Sequence, residues 1–366
     1  MATFATLKIN SSEVDAVVDC LIQGQYGSFS HSVPFFEAKI SEHVGGLRVI
    51  SVSSGTIGLI AALASQGVGT GDYVAVPAIT FVATAQAVLA LGAVPVVVDV
   101  ENENGLISES SFEEVLSQWS VKALVPVHLF GNPSSVSVFR WQTLPKDVCI
   151  IEDAAQAFGT DLEYSERFSR ERIMVFSFQI NKQLGLGHGG CVACSDPVVE
   201  RKVRSYKNNG IQLIDGRIVV TGVGINGSIS GVSAVLGLAV MERFNKILED
   251  RKRTYRILED VVENVGSPLQ KYAMELDTVS PSRFVMRVND EIVISRLLER
   301  SRQLGLPLEP MYTPLHLLPG LRGRLRFTST IESEQFSQTT LMLHFPSPCP
   351  EEFVDSFERV VKQVCL

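Results

Sequence analysis

From Tyr73 to Val98 the chain carries no charged residue, a length that would suffice to cross a bilayer. Pro77, Gly92 and Pro95 divide the stretch into Tyr73–Val76, Thr80–Leu91 and Val94–Val98. This reads as strand, helix, strand, apolar throughout as parallel strands covered on both faces are. It therefore belongs to a core and not to a membrane. The same rhythm runs on either side. Upstream come a helix Ser12–Leu21 capped by Ser11 or Ser12, a Gly- and Ser-rich loop Gln23–Ser32 with no further element to residue 45, and a strand Val49–Val52. That strand breaks at Ser53-Ser54-Gly55-Thr56 and feeds a helix Ile57–Ser65 closed by Gly67. Downstream follow helix Ser110–Gln118, strand Ala123–Val127, a loop through His128–Pro133, a short helix, and strands Val148–Ile151, Ile173–Phe178 and Gly190–Ser195. Strands alternating with helices predict an open, mostly parallel α/β sheet.

Beyond Pro197 the texture changes. A charged amphipathic helix Pro197–Asn208, a glycine-rich connection Gly222–Gly231 and a long helical region Val232–Asp260 lead out of the sheet. Strand Phe284–Val288, helix Glu291–Leu304, an irregular segment 307–320, a strand near Leu341–His344 and a last helix Glu351–Val364 form a smaller α+β part. The boundary is placed within the helix near 240–250, giving a large domain 1–245 and a small one 246–366.

At 366 residues, 45% hydrophobic and 20% charged, the chain has the composition of a globular protein with a large core. A net charge of −8 argues against a nucleic-acid binder. Met1–Asn10 lacks the layout of a signal peptide, and a cytoplasmic location with reduced thiols is expected for the six scattered cysteines. Cys191 and Cys194 sit in a strand whose alternation sends them to opposite faces, and no second pair follows at zinc spacing. No metal site is expected.

The candidate chemistry sits past the ends of two buried strands. Val148–Ile151 ends in Glu152-Asp153, and Ile173–Phe178 ends in a loop that presents Lys182 before a glycine-dense turn. A carboxylate and an amine so placed suit a ligand with a cationic ring and an aldehyde, as pyridoxal 5′-phosphate (PLP) has. The plain alternative is a solvated lysine and a turn aspartate. Ser53–Thr56, a small-residue turn opening a helix, offers unpaired N–H groups to a phosphate, and fits an ordinary capped helix equally. Gly185–Gly190 matches G-x-G-x-x-G but leads into a strand instead of a helix, so it is not a dinucleotide fingerprint. Thr56, Asp153 and Lys182 all fall at strand C-terminal ends, where open α/β sheets bind ligands.

Six motifs in order resemble the DegT/StrS family of PLP-dependent sugar aminotransferases: Ser54-Gly55-Thr56, Gly71–Thr84, Gly92–Asp99 with Pro126–Gly131, Ile151–Gly159, Ser177–Lys182 and Pro314-Leu315-His316. The resemblance implies a fold-type-I PLP-dependent transferase with a seven-stranded type of sheet and a shared-site homodimer. It implies Lys182 as the lysine bonded to the cofactor, Asp153 opposite the pyridine nitrogen, Gln156 at the ring hydroxyl and Phe81 on the ring face. Ser54, Gly55, Thr56 and Ser177 would cradle the phosphate, with Asn226 lent by the partner subunit. His188, Tyr312 and His316 would face substrate. Lysine at 182, where some family members carry histidine and dehydrate, favours transamination of a keto-sugar, nucleotide-linked, with glutamate as donor. Sugar deoxygenation, amination of a free keto-sugar or cyclitol, and a PLP-binding regulator are the alternatives. This chain departs from the family pattern at His188, Asn208-Asn209-Gly210 and Ser228, all around the outer site.

Overall fold

The computed structural model describes residues 7–133, 145, 147–162 and 171–366. The short helix expected before Val148 lies outside the described residues. Helix α1 (Ser11–Ile22) is capped by Asn10 and not by Ser11 or Ser12, because Asn10 and Glu13 bond each other's backbone N–H reciprocally. A second helix, α2 (Ser32–His43), occupies part of the stretch expected to be loop.

The large sheet is built from β1 (Arg48–Val52), β2 (Tyr73–Pro77), β3 (Val94–Val98), β4 (Val121–Leu124), β5 (Cys149–Ile150), β6 (Glu152–Asp153), β7 (Ile173–Ser177) and β8 (Gly190–Cys194). The strands from β3 through β2 and β4 to β5 run parallel, as do β6 and β7. Backbone bonds from Ile151 to Leu124 and from Asp153 to Pro126 carry the sheet across from one group to the other. Among the described strands of this sheet, β8 runs antiparallel to both its neighbours, β7 and β1. Helices α3 (Gly55–Ser65), α4 (Ala83–Ala90) and α5 (Glu109–Gln118) connect the strands. The apolar stretch 73–98 is thus the sheet core expected, with α4 starting at Ala83, so that Thr80 and Phe81 stay in the loop before it. Cys191 and Cys194 pack into separate cores on opposite faces of β8.

Past α6 (Pro197–Tyr206), strands β9 (Ile211–Ile214) and β10 (Arg217–Val220) form an exposed hairpin turned by Asp215 and Gly216, both at positive φ. The expected long helix is two helices, α7 (Gly231–Met241) and α8 (Phe244–Val265), broken at Glu242-Arg243. Helix α8 lays Phe244 and Ile247 into a core behind the large sheet and Tyr255, Leu258 and Val262 into a second core. That second core holds β11 (Leu269–Lys271), β12 (Phe284–Val288), α9 (Glu291–Gln303), β13 (Leu308–Pro310) and, further on, a strand Thr340–Leu343 and the last helix Glu351–Cys365. The chain then returns to the large sheet: Leu315, Leu321 and Leu325 join its core, and β14 (Arg326–Phe327) pairs in parallel with β3. Helix α10 (Ile331–Gln338), β15 (Thr340–Leu343) and α11 (Glu351–Cys365) complete the chain. Among the described residues no helix is long and apolar enough to cross a membrane.

Candidate active site

Successive residues of a strand face opposite ways, and β6 uses this to separate two buried acids. Glu152 turns to a buried cluster, taking His128 Nε2 at 3.0 Å and Arg172 Nε at 2.8 Å. Burial works against its charge, but His128 and Arg172 hold its carboxyl below the usual range. Asp153 faces a cavity of about 240 Å³ instead. Its carboxylate accepts Thr84 Oγ1 at 2.8 Å and the Ala155 N–H at 3.1 Å. Burial pushes its pKa up, against the pull of those two donors and of Lys182. A buried carboxylate with so few partners is completed by a cation.

Lys182 reaches the same cavity from the loop after β7, where its N–H closes a turn on Gln179. Burial, then the positive charge of Arg283, push its pKa down to about 7, with Asp153 acting the other way. A lysine amine neutral near pH 7 is a nucleophile for an aldehyde. The third wall is the start of α3. Ser54 caps it, its Oγ accepting the Ile57 N–H at 3.2 Å, so the first-turn N–H groups that no helix can pair border the cavity. Helix α3 comes this close because position 55 has no side chain: a Cβ there would lie 2.9 Å from Ser177 Cβ. Phe81, Gln156, Ser177 and the exposed His188 also line the cavity. Gln156 spends its Oε1 on the Phe130 N–H and Ser282 Oγ, both at 3.2 Å, which leaves its amide NH2 for a ligand.

Ser54, Gly55, Thr56, Phe81, Asp153, Gln156, Ser177, Lys182 and His188 are therefore brought together. Tyr312 stands behind Phe81, edge-on at 6.2 Å between ring centroids. His316 does not line the cavity; its Nε2 lies 3.0 Å from Glu334 and its ring lies against Phe327. Nor does Asn226, which is exposed and bridges the Asn208 backbone at the foot of the hairpin. Three contributors were not singled out from the sequence. Thr84 falls one helical turn from Thr80, a spacing that could have flagged it. Gln183 and Arg283 make their contacts with residues far along the chain, and no local signal marks them.

A buried acid for a ring nitrogen, a neutral lysine for an aldehyde and a helix start for a phosphate fit PLP, and the sheet around them defines an α/β enzyme of fold type I. The family model for the DegT/DnrJ/EryC1/StrS aminotransferase family matches residues 7–364, and the chain belongs to that family. It is a PLP-dependent aminotransferase. GDP-perosamine synthase of Caulobacter vibrioides is 27% identical over 318 residues, 86% of this chain and 85% of that protein. The UDP-N-acetyl-3-dehydro-alpha-D-glucosamine 3-aminotransferase of Acidithiobacillus ferrooxidans is 37% identical over 175 residues, 48% of this chain and 47% of the other. The solved structure of an aminotransferase from Psychrobacter cryohalolentis superposes with a TM-score of 0.87 at 22% identity, covering 99% of this chain and 98% of that one, a likeness of fold.

Proposed function

We propose that the protein moves an amino group from an amino acid, glutamate first among the candidates, to the keto carbon of a nucleotide-linked sugar. The product would enter amino-sugar biosynthesis for a surface polysaccharide or a glycosylated metabolite, in the cytoplasm. The observation that carries this reading is the pairing of a low-pKa Lys182 with a buried, under-partnered Asp153 in one cavity. When bound there, PLP supplies an electron-accepting ring that stabilises negative charge at the carbon losing or gaining a proton. Lys182 would hold the cofactor and would carry that proton at Nζ. Asp153 would keep the ring nitrogen protonated. Gln156 would bind the ring hydroxyl, Phe81 would lie against the ring, and Ser54, Gly55, Thr56 and Ser177 would hold the phosphate. Tyr312 and His188 face the acceptor, and His316 acts from behind, through Thr330 and Glu334.

The working form in this reading is a homodimer with shared sites. The hairpin β9–β10 and its exit expose Leu213, Ile218, Val220 and Val223, which nothing among the described residues covers, a surface that suits a second copy. Asn226 at its foot would then complete the partner's phosphate cradle. The test is a panel of nucleotide-linked keto-sugars offered with PLP-loaded enzyme and glutamate or glutamine. Donor-dependent appearance of an amino sugar supports the proposal. Loss of oxygen without amine transfer, or turnover only of a free cyclitol ketone, would replace it by the corresponding alternative.

A further inference from the structure

Thr84 lies in the first turn of α4, 1% exposed, and its hydroxyl has three oxygens around it. Asp153 Oδ2 is at 2.8 Å, Thr80 Oγ1 at 2.9 Å and the Phe81 carbonyl at 3.3 Å. A hydroxyl has one proton to give and two lone pairs. An ionised carboxylate and a carbonyl only accept, so the Thr84 proton serves one of them at a time. Asp153 is the closer and the charged acceptor, and a charge-assisted bond is the stronger one. With its proton spent there, Thr84 accepts from Thr80, which is itself 3% exposed. Donation therefore runs from Thr80 to Thr84 to Asp153, along a wall of the cavity that both threonines line.

The same hydroxyl suits the opposite state of the acid. Burial favours a neutral Asp153, against the pull of Thr84, the Ala155 N–H, Lys182 and His128. A neutral Asp153 carries an O–H, which Thr84 can accept while turning its own proton to the Phe81 carbonyl. The Thr84 backbone N–H already ties α4 to that carbonyl at 3.2 Å, so the loop that carries Phe81 keeps its place in either case. A hydroxyl that served only to stitch this loop would lie nearer the carbonyl than the acid. The distances are the reverse.

We propose that Thr84, backed by Thr80, is the positioning residue that holds Asp153 as an anion when a cationic ring fills the cavity and lets it keep a proton when none does. The inference rests on the reading that Asp153 meets the ring nitrogen of the cofactor, and its test needs no turnover. The probes are pyridoxine 5′-phosphate and its carbocyclic counterpart, in which C–H replaces the ring nitrogen. Neither has the aldehyde that bonds to Lys182. Each is titrated into the full-length protein freed of cofactor. The wild type is expected to prefer the nitrogen ring by roughly tenfold or more, since only that ring can carry the charge that Asp153 answers. Thr84→Val should cut the preference about tenfold, the difference between a hydrogen bond to a charged acid and one to a neutral acid. Thr84→Ser, which keeps the hydroxyl, should retain it. A role confined to stitching the Phe81 loop would weaken both probes alike, so a wild-type ratio in a folded Thr84→Val would overturn the proposal. Should that variant not fold, Thr80→Val decides: it removes the donor behind Thr84 and should lower the ratio, and an unchanged ratio there would overturn it too. Asp153→Asn should abolish the preference. If it does while Thr84→Val leaves the ratio intact, this proposal falls and the Asp153 reading stands, whereas a preference that survives Asp153→Asn discards both.

Discussion

Burial and the Arg283 charge combine to take the proton from Lys182 near neutral pH, which sets how the protein acquires its cofactor. A lysine whose pKa is lowered is charged below that value and neutral above it, and only the neutral amine attacks an aldehyde. The rate at which cofactor-free protein captures PLP should therefore rise with pH through a midpoint near 7. Arg283→Gln removes a like charge, so its midpoint should move upward. A midpoint at the ordinary lysine value in the wild type would show that the amine is solvated. Lys182→Ala should abolish amino transfer with little change in melting temperature, because the residue sits in a loop past β7. Asp153→Asn should keep PLP and lose at least tenfold in rate, since one pK unit of preference at the ring nitrogen is about 1.4 kcal/mol. A rate unchanged on assay would reduce Asp153 to a turn residue. Both positions were legible in the sequence because each follows a short buried strand whose end fixes its location. Arg283 was not, since its effect on Lys182 is a property of packing between segments far apart in the chain.

Secondary-structure elements are most legible in this sequence where apolar runs are uniform. Strands β2, β3 and β7 and helix α3 could be placed because a core covered on both faces tolerates no charge. Helix α2 was missed for the converse reason. Its buried face is Val33, Phe36, Glu37 and Ile40, and a buried acid in that stripe hides the helical period. Glu37 is there to bind Ser51, Arg204 and Lys207, partners that no window of sequence includes. The β9–β10 hairpin carried its own signal in Asp215-Gly216, and its strands escaped notice because their apolar residues do not alternate. The close seat of α3 on β7 yields a further test. Gly55→Ala favours the helix intrinsically, yet places a Cβ 2.9 Å from Ser177 Cβ, where the backbone has to yield. The expected cost is about 1–3 kcal/mol, read from urea denaturation, together with weaker PLP retention. A variant as stable as the parent would mean that the contact relaxes freely.

For the whole molecule, sharing of sites between copies is tested by mixing two crippled chains, Lys182→Ala and Asn226→Ala. If Asn226 acts across the interface, each mixed dimer has one intact site and one doubly defective one, and random pairing should restore about a quarter of wild-type activity. Confirmed mixed dimers no better than their parents would refute sharing. We place the division between large and small domains at 245/246, inside α8, with Leu315–Phe327 packed back on the large sheet. That division runs through a single helix of 22 residues, about 33 Å of continuous rod. Its first turns belong to one core and its later turns to another, and between them Arg251 grips the carbonyls of Pro281 and Ser282. A helix is costly to start and cheap to extend, so neither core can melt without fraying a rod that the other still needs. Calorimetry should accordingly record one heat-absorption peak, with calorimetric and van 't Hoff enthalpies in agreement, and two resolved peaks would show that the rod parts between the two cores.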